Sequence, residues 1–98
     1  MLTFEKFMDR VKQVKSYKSV TGRATYSHCA VDGVVLNFIR DNTGKTWQIN
    51  LPDAYTAYQN EPLINTTVLR SYMRNRVYSP TMGLLIAIEL YNRKGQRN

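Results

Sequence analysis

Histidine and cysteine are nearly missing from this chain, which carries one of each, His28 and Cys29. A single cysteine closes no internal disulfide, so a reducing setting is expected, read here as the cytoplasm, and an oxidised secreted scaffold is not. A structural zinc site needs four convergent ligands, whereas neighbours on a strand point to opposite faces. The same divergence keeps His28 from activating Cys29, which reads as a small core residue. Long apolar runs are missing too. The longest block, Met82 to Ile88, is far short of the roughly 20 residues that span a bilayer. The opening Met1 to Lys6 carries an early acid and no apolar run of signal-peptide length. No membrane span and no leader is expected.

Acidic residues are scarce, seven against fourteen Lys and Arg, and they are scattered. Asp32 and Asp41 belong to turns, where such side chains bond nearby amides. Asp53 reads as a helix-start residue, and Glu5 and Asp9 as helix surface. Glu89 stands alone on an apolar segment, four residues before Arg93, in a favourable order for pairing. No carboxylate pair converges for acid–base work or metal binding. The run Asp41 to Thr46 ends in Gly-Lys-Thr, but it lacks the upstream glycine and the strand-to-helix setting of a phosphate loop. No catalytic residue, metal or cofactor is therefore expected, and the chain reads as a non-enzyme.

What is present is positive charge, a net +7 on 98 residues. A field of that sign draws polyanions: nucleic acid, or an acidic protein partner. The periodicity predicts a single α+β domain over residues 1–92, with a flexible basic tail over 93–98. Thr3 caps a first helix from Phe4 to about Ser16, with Phe4, Phe7, Met8, Val11 and Val14 in one stripe. A three-stranded antiparallel meander follows from Arg23 to Leu51. Asp32-Gly33 is a hairpin signal that pairs Val31 with Val34, Cys29 with Leu36 and Ser27 with Phe38. A second turn at Asp41–Gly44 sets Phe38 opposite Trp47, Leu36 opposite Ile49 and Val34 opposite Leu51. The inward set is Cys29, Val31, Val34, Leu36, Phe38, Trp47, Ile49 and Leu51. The other face carries Tyr26, His28, Asn37, Gln48 and Asn50, with Val35 and Ile39, and is either a binding surface or simply solvated.

Two to three helices complete the chain. A short one is expected from Asp53 to about Gln59. Another runs from an Asn65 or Thr66 cap to about Asn75, with Val68, Leu69, Tyr72 and Met73 inward. Ser79 and Pro80 suit the N-cap and first position of the last helix. That helix is apolar almost all round from Met82 to Leu90 and so is buried, either in the core or at a subunit interface. As the second helix of a DNA-reading pair it offers almost no side chains for base edges.

Two functions follow. The first is a small nucleic-acid-binding accessory protein that contacts mainly phosphates, with weak sequence specificity. Arg70, Arg74 and Arg76 form its densest basic cluster, with Thr67 and Ser71 on the same helical face as hydroxyl donors. Arg93, Lys94 and Arg97 in the tail assist. Arginine suits this task because its planar fork donates two bonds to phosphate at once. The alternative is a homo-oligomeric interaction module, most plausibly a homodimer, built on the apolar last helix and the seven tyrosines.

Overall fold

Thr3 starts the first helix, α1 (Phe4–Lys12), and its side chain accepts from the Lys6 amide at 3.2 Å. The computed structural model describes all 98 residues. Phe7, Met8 and Val11 are buried on one side of α1, as the stripe predicts. The helix stops short of Ser16 because the chain turns to enter a sheet: the Lys15 carbonyl accepts from the Cys29 amide at 3.1 Å. That sheet has four strands, one more than expected. They are β1 (Tyr17–Lys18), β2 (Thr25–Asp32), β3 (Val35–Arg40) and β4 (Lys45–Asn50), antiparallel in that order. The extra strand is only two residues long, too short to leave a period-2 signature.

The β3–β4 register is the predicted one, with Phe38 opposite Trp47 and Leu36 opposite Ile49. The β2–β3 register is shifted. Asp32 pairs with Val35 and Val31 with Leu36, so the two-residue loop is Gly33-Val34 rather than Asp32-Gly33. Gly33 takes φ +62° while no other loop residue is left-handed, the requirement of a turn with glycine first. Val34 is consequently 45% exposed instead of inward. Leu51 is buried, but as the first residue of a helix rather than on a strand.

A second departure lies in β2, where the ladder is irregular between Ser27 and Ala30 and His28 stands at φ +54°. This bulge adds a residue and reverses the alternation. Tyr26 therefore faces the core, 2% exposed, although it was assigned to the open face. It packs with Tyr17 at 5.0 Å and Phe38 at 5.3 Å between ring centroids. The open face keeps Asn37 and Gln48, which bond each other at 2.8 Å.

Asn50 caps α2 (Leu51–Asn60) by accepting from the Asp53 amide. Asn65 likewise caps α3. However, α3 covers only Thr66–Leu69 and does not reach Asn75. Beyond it the bonds tighten, Ser71 to Val68 and Tyr72 to Leu69, and Asn75 and Arg76 both adopt positive φ. The segment thereby turns Leu69, Met73 and Val77 into the core. The last helix, α4 (Tyr78–Ala87), starts after Val77 with no side-chain cap, so Ser79 and Pro80 lie inside its first turn. Thr81, Gly83, Leu84 and Leu85 are buried within this one chain. No helix is long and apolar enough to cross a membrane.

The basic tail, expected to be loose, is folded back. Ile64 N donates to Gly95 O, Arg97 N to Pro62 O and Asn98 N to Leu90 O, each within 3.0 Å. Gly95 makes the return possible. It holds φ +82°, and a Cβ there would collide with the Ile64 carbonyl. Gly95→Ala should therefore lower stability by at least about 2 kcal/mol in denaturant titration; an unchanged midpoint would show that the tail does not dock.

Three buried acids without formal charge add a pH dependence. Burial pushes the Tyr17 phenol well above its usual value. It raises the Cys29 thiol to about 11, with the Asp41 charge adding. It lifts Tyr91 to about 12 against the opposing pull of Arg97. In the unfolded chain these groups ionise near 9.0 for the thiol and 10.0 for the phenols. Above those values the unfolded chain loses protons that the native state keeps. The stability is complete at lower pH and falls as pH climbs toward the native values. Denaturant midpoints at about pH 8 and about pH 10 should show the decline; equal midpoints would contradict it.

Candidate anion-binding site

The inner face of the sheet ends in a row of paired residues: Tyr17 on β1, Tyr26 on β2 and Arg40 on β3. Directly opposite residues share a face, and Arg40 follows Leu36 and Phe38 by strict alternation. Trp47, opposite Phe38, stands in the adjacent row. Over this end of the sheet lie the turn between β1 and β2 and the first turn of α4. Together they enclose a cavity of about 280 Å³ lined by Arg23, Arg40 and Arg76, by Tyr26 and Trp47, and by Ser19, Thr21, Ala24, Ser79 and Pro80.

Each wall has a local cause. The β1–β2 turn closes through Ser19 N to Ala24 O at 2.9 Å, and the Ser19 hydroxyl accepts from Ala24 N at 3.1 Å. Gly22, at φ +74°, supplies the left-handed residue this loop requires. The α4 wall is pinned by the Tyr17 hydroxyl, which donates to the Pro80 carbonyl at 2.9 Å. Arg76 reaches the cavity from a backbone at φ +58°, a conformation that costs a non-glycine residue on the order of 1–3 kcal/mol and recurs at ligand clamps.

The electrostatics are one-sided. No Asp or Glu lines the cavity, and the one salt bridge in the protein, Arg74 to Asp53 at 3.8 Å, lies elsewhere. Arg40 commits only Nε, to Asn42 Oδ1 at 2.9 Å. The Trp47 indole N–H is buried and has no acceptor. Thr81 Oγ also lacks a partner but does not line the cavity. On the far side of β1 a second cleft, of about 300 Å³, shares Ser19 and is lined by Lys18 and Arg93, again without an acid. Such a surface can accept oxyanions by charge-assisted hydrogen bonds.

The residues singled out by sequence are not brought together. The face of Thr67, Arg70, Ser71 and Arg74 needed a helix that continues past Leu69, and α3 ends there. Arg70 lies over the Tyr78 ring, 5.5 Å from its centroid. Arg74 is paired with Asp53. Arg97 donates to the Tyr58 and Gln59 carbonyls at the end of α2. Lys94, Thr67 and Ser71 are exposed. Only Arg76 and Arg93 line the two basic clefts. Sequence reasoning missed Arg23, Arg40 and Trp47 as a group. Alternation from Phe38 was the available signal for Arg40; nothing local marked Arg23.

On the open face the bulge brings Ser27, His28 and Asp41 together. Ser27 Oγ donates to Asp41 Oδ1 and meets His28 Nδ1 at 3.1 Å. The three do not line any of the clefts, and no three His, Cys, Asp or Glu side chains could hold a metal ion. Searches against known protein families, curated proteins and solved structures find nothing similar to this chain.

The whole arrangement depends on how close α4 comes to β1. A Cβ on Gly83 would sit 3.0 Å from the Lys18 carbonyl oxygen and 3.2 Å from the Tyr17 ring. Helix propensity alone favours alanine by about 1 kcal/mol, whereas overpacking costs about 1–3 kcal/mol. Gly83→Ala should therefore destabilise the protein, the reverse of the propensity ranking. A raised unfolding midpoint would show that α4 and β1 are not in this contact.

Proposed function

We propose that the protein binds nucleic acid through its phosphates, holding them at the Arg23–Arg40–Arg76 cavity and along the neighbouring Lys18–Arg93 cleft. One observation carries this reading: arginines from three separate segments line one cavity that contains no acid. An oxyanion entering the cavity would meet positive charge and no competing carboxylate. Contacts of this kind give strong salt dependence and little sequence preference. The anchors differ from the cluster expected on Arg70 and Arg74, which line neither of these two clefts. A homodimer through α4 has less support, because Leu84 and Leu85 are fully buried in the chain's own core, Tyr78, Met82 and Ile86 pack against it, and the exposed large apolar side chains, Met1, Val34 and Leu63, are dispersed along the sequence.

Fluorescence anisotropy with labelled single-stranded DNA, duplex DNA and RNA at several salt concentrations tests the proposal. Affinity should fall steeply with salt. Replacing both Arg23 and Arg76 by alanine should reduce the log–log slope by roughly 1.5 to 2, the loss expected for two phosphate contacts. Arg74→Ala, outside the cavity, should leave the slope nearly unchanged. Absence of binding to all three at low salt would overturn the reading.

A further inference from the structure

We propose that the arginine cavity receives a phosphomonoester carried on a nucleoside, either the phosphorylated end of a strand or a free nucleotide, rather than an internal phosphodiester. The inference rests on the nucleic-acid reading and specifies what its central cavity holds. Three observations support it.

Shape comes first. The cavity is walled by the β1–β2 turn and by the start of α4, and Tyr26 and Trp47 of the sheet also line it. The volume of about 280 Å³ is near the lower limit of small-molecule sites, about 300 Å³, which suits one nucleotide.

Charge comes second. An internal phosphodiester carries one negative charge, whereas a phosphomonoester at neutral pH carries about −1.5 to −2. Three guanidiniums without a carboxylate are better matched by the dianion. A monoester also presents three free oxygens, enough for separate bonds to the arginines and to the hydroxyls of Thr21 and Ser79 that share the wall.

Third, a ring adjoins the charge. Trp47 lines the same cavity and is half-buried. Aromatic side chains take nucleobases by stacking without sequence preference.

Trp47 is the only tryptophan, so its emission reports on this cavity alone. Titration of the wild-type protein with a nucleoside 5′-monophosphate should give a saturable change in emission, with the unphosphorylated nucleoside far weaker. Arg76→Ala should weaken the response by roughly tenfold or more, the loss of a charge-assisted bond. Arg76 is exposed, and circular dichroism is the check that the variant is folded. In parallel, anisotropy compares oligonucleotides of one sequence with a 5′-phosphate, a 3′-phosphate or hydroxyl ends. Tighter binding of one phosphorylated form, displaced by the monophosphate, identifies a strand end as the occupant. A monophosphate response without any oligonucleotide binding identifies a free nucleotide and overturns the nucleic-acid reading alone. Equal affinity for all three oligonucleotides, with no monophosphate response, overturns this inference while leaving the broader reading intact. No response to any ligand overturns both.

Discussion

The backbone of α4 lies against the edge strand β1 because residue 83 has no side chain. Gly83 faces the Lys18 carbonyl and the Tyr17 ring at distances a methyl group fills completely, and the Tyr17 hydroxyl locks the contact by donating to Pro80. Both basic clefts exist on account of this approach. One is lined by Tyr17, Lys18 and Gly83, and the other by Ser79 and Pro80 in the first turn of the same helix. A two-residue strand has little pairing energy of its own. Its position depends on burying Tyr17 between Tyr26, Phe38 and α4. Packing in the core thus sets the geometry of a charged surface.

Much of this was legible in the sequence, and the remainder failed for identifiable reasons. Thr3 was read correctly as a cap, and Asn65 was one of the two candidates offered with Thr66, because capping is a local interaction between a side chain and an amide three residues on. The Phe38–Trp47 register was legible because a slip would have placed Ile39 and Asn37 opposite the large residues of β4. Asp32-Gly33 misled: the dipeptide suits a turn with two left-handed residues, and this turn needs only Gly33. The bulge at His28 left no mark in composition, so Tyr26 was placed on the wrong face. The third helix failed because Asn75 and Arg76 adopt left-handed backbone under tertiary demand, pulling Met73 and Val77 into the core. Only the asparagine is a residue that tolerates such a conformation readily.

The candidate site was less legible than the fold, and the cause is topological. Its arginines are distant in sequence at positions 23, 40 and 76, and no linear cluster announces them. The dense run Arg70, Arg74 and Arg76 drew notice, yet only Arg76 lines the cavity. Arg70 packs on an aromatic face and Arg74 pairs with an acid. Counting charges along the chain measures the field of the protein but not which charges share one surface.

Sorting the arginines by what they touch is more informative. Arg10 donates to Ile88 O, the carbonyl that follows α4, and Arg97 to the carbonyls at the end of α2. These are favourable interactions with the negative ends of helices. Arg23 and Arg76 have no such partner, and Arg40 has only Asn42. Three guanidiniums without a carboxylate partner line one cavity, and a left-handed backbone at Arg76 adds a local cost. A single Glu in the wall would relieve that local charge, and none is present. An anion that enters relieves it as well, and whatever binds only the native state stabilises it by mass action. No internal carboxylate would compete there with the oxyanion proposed above.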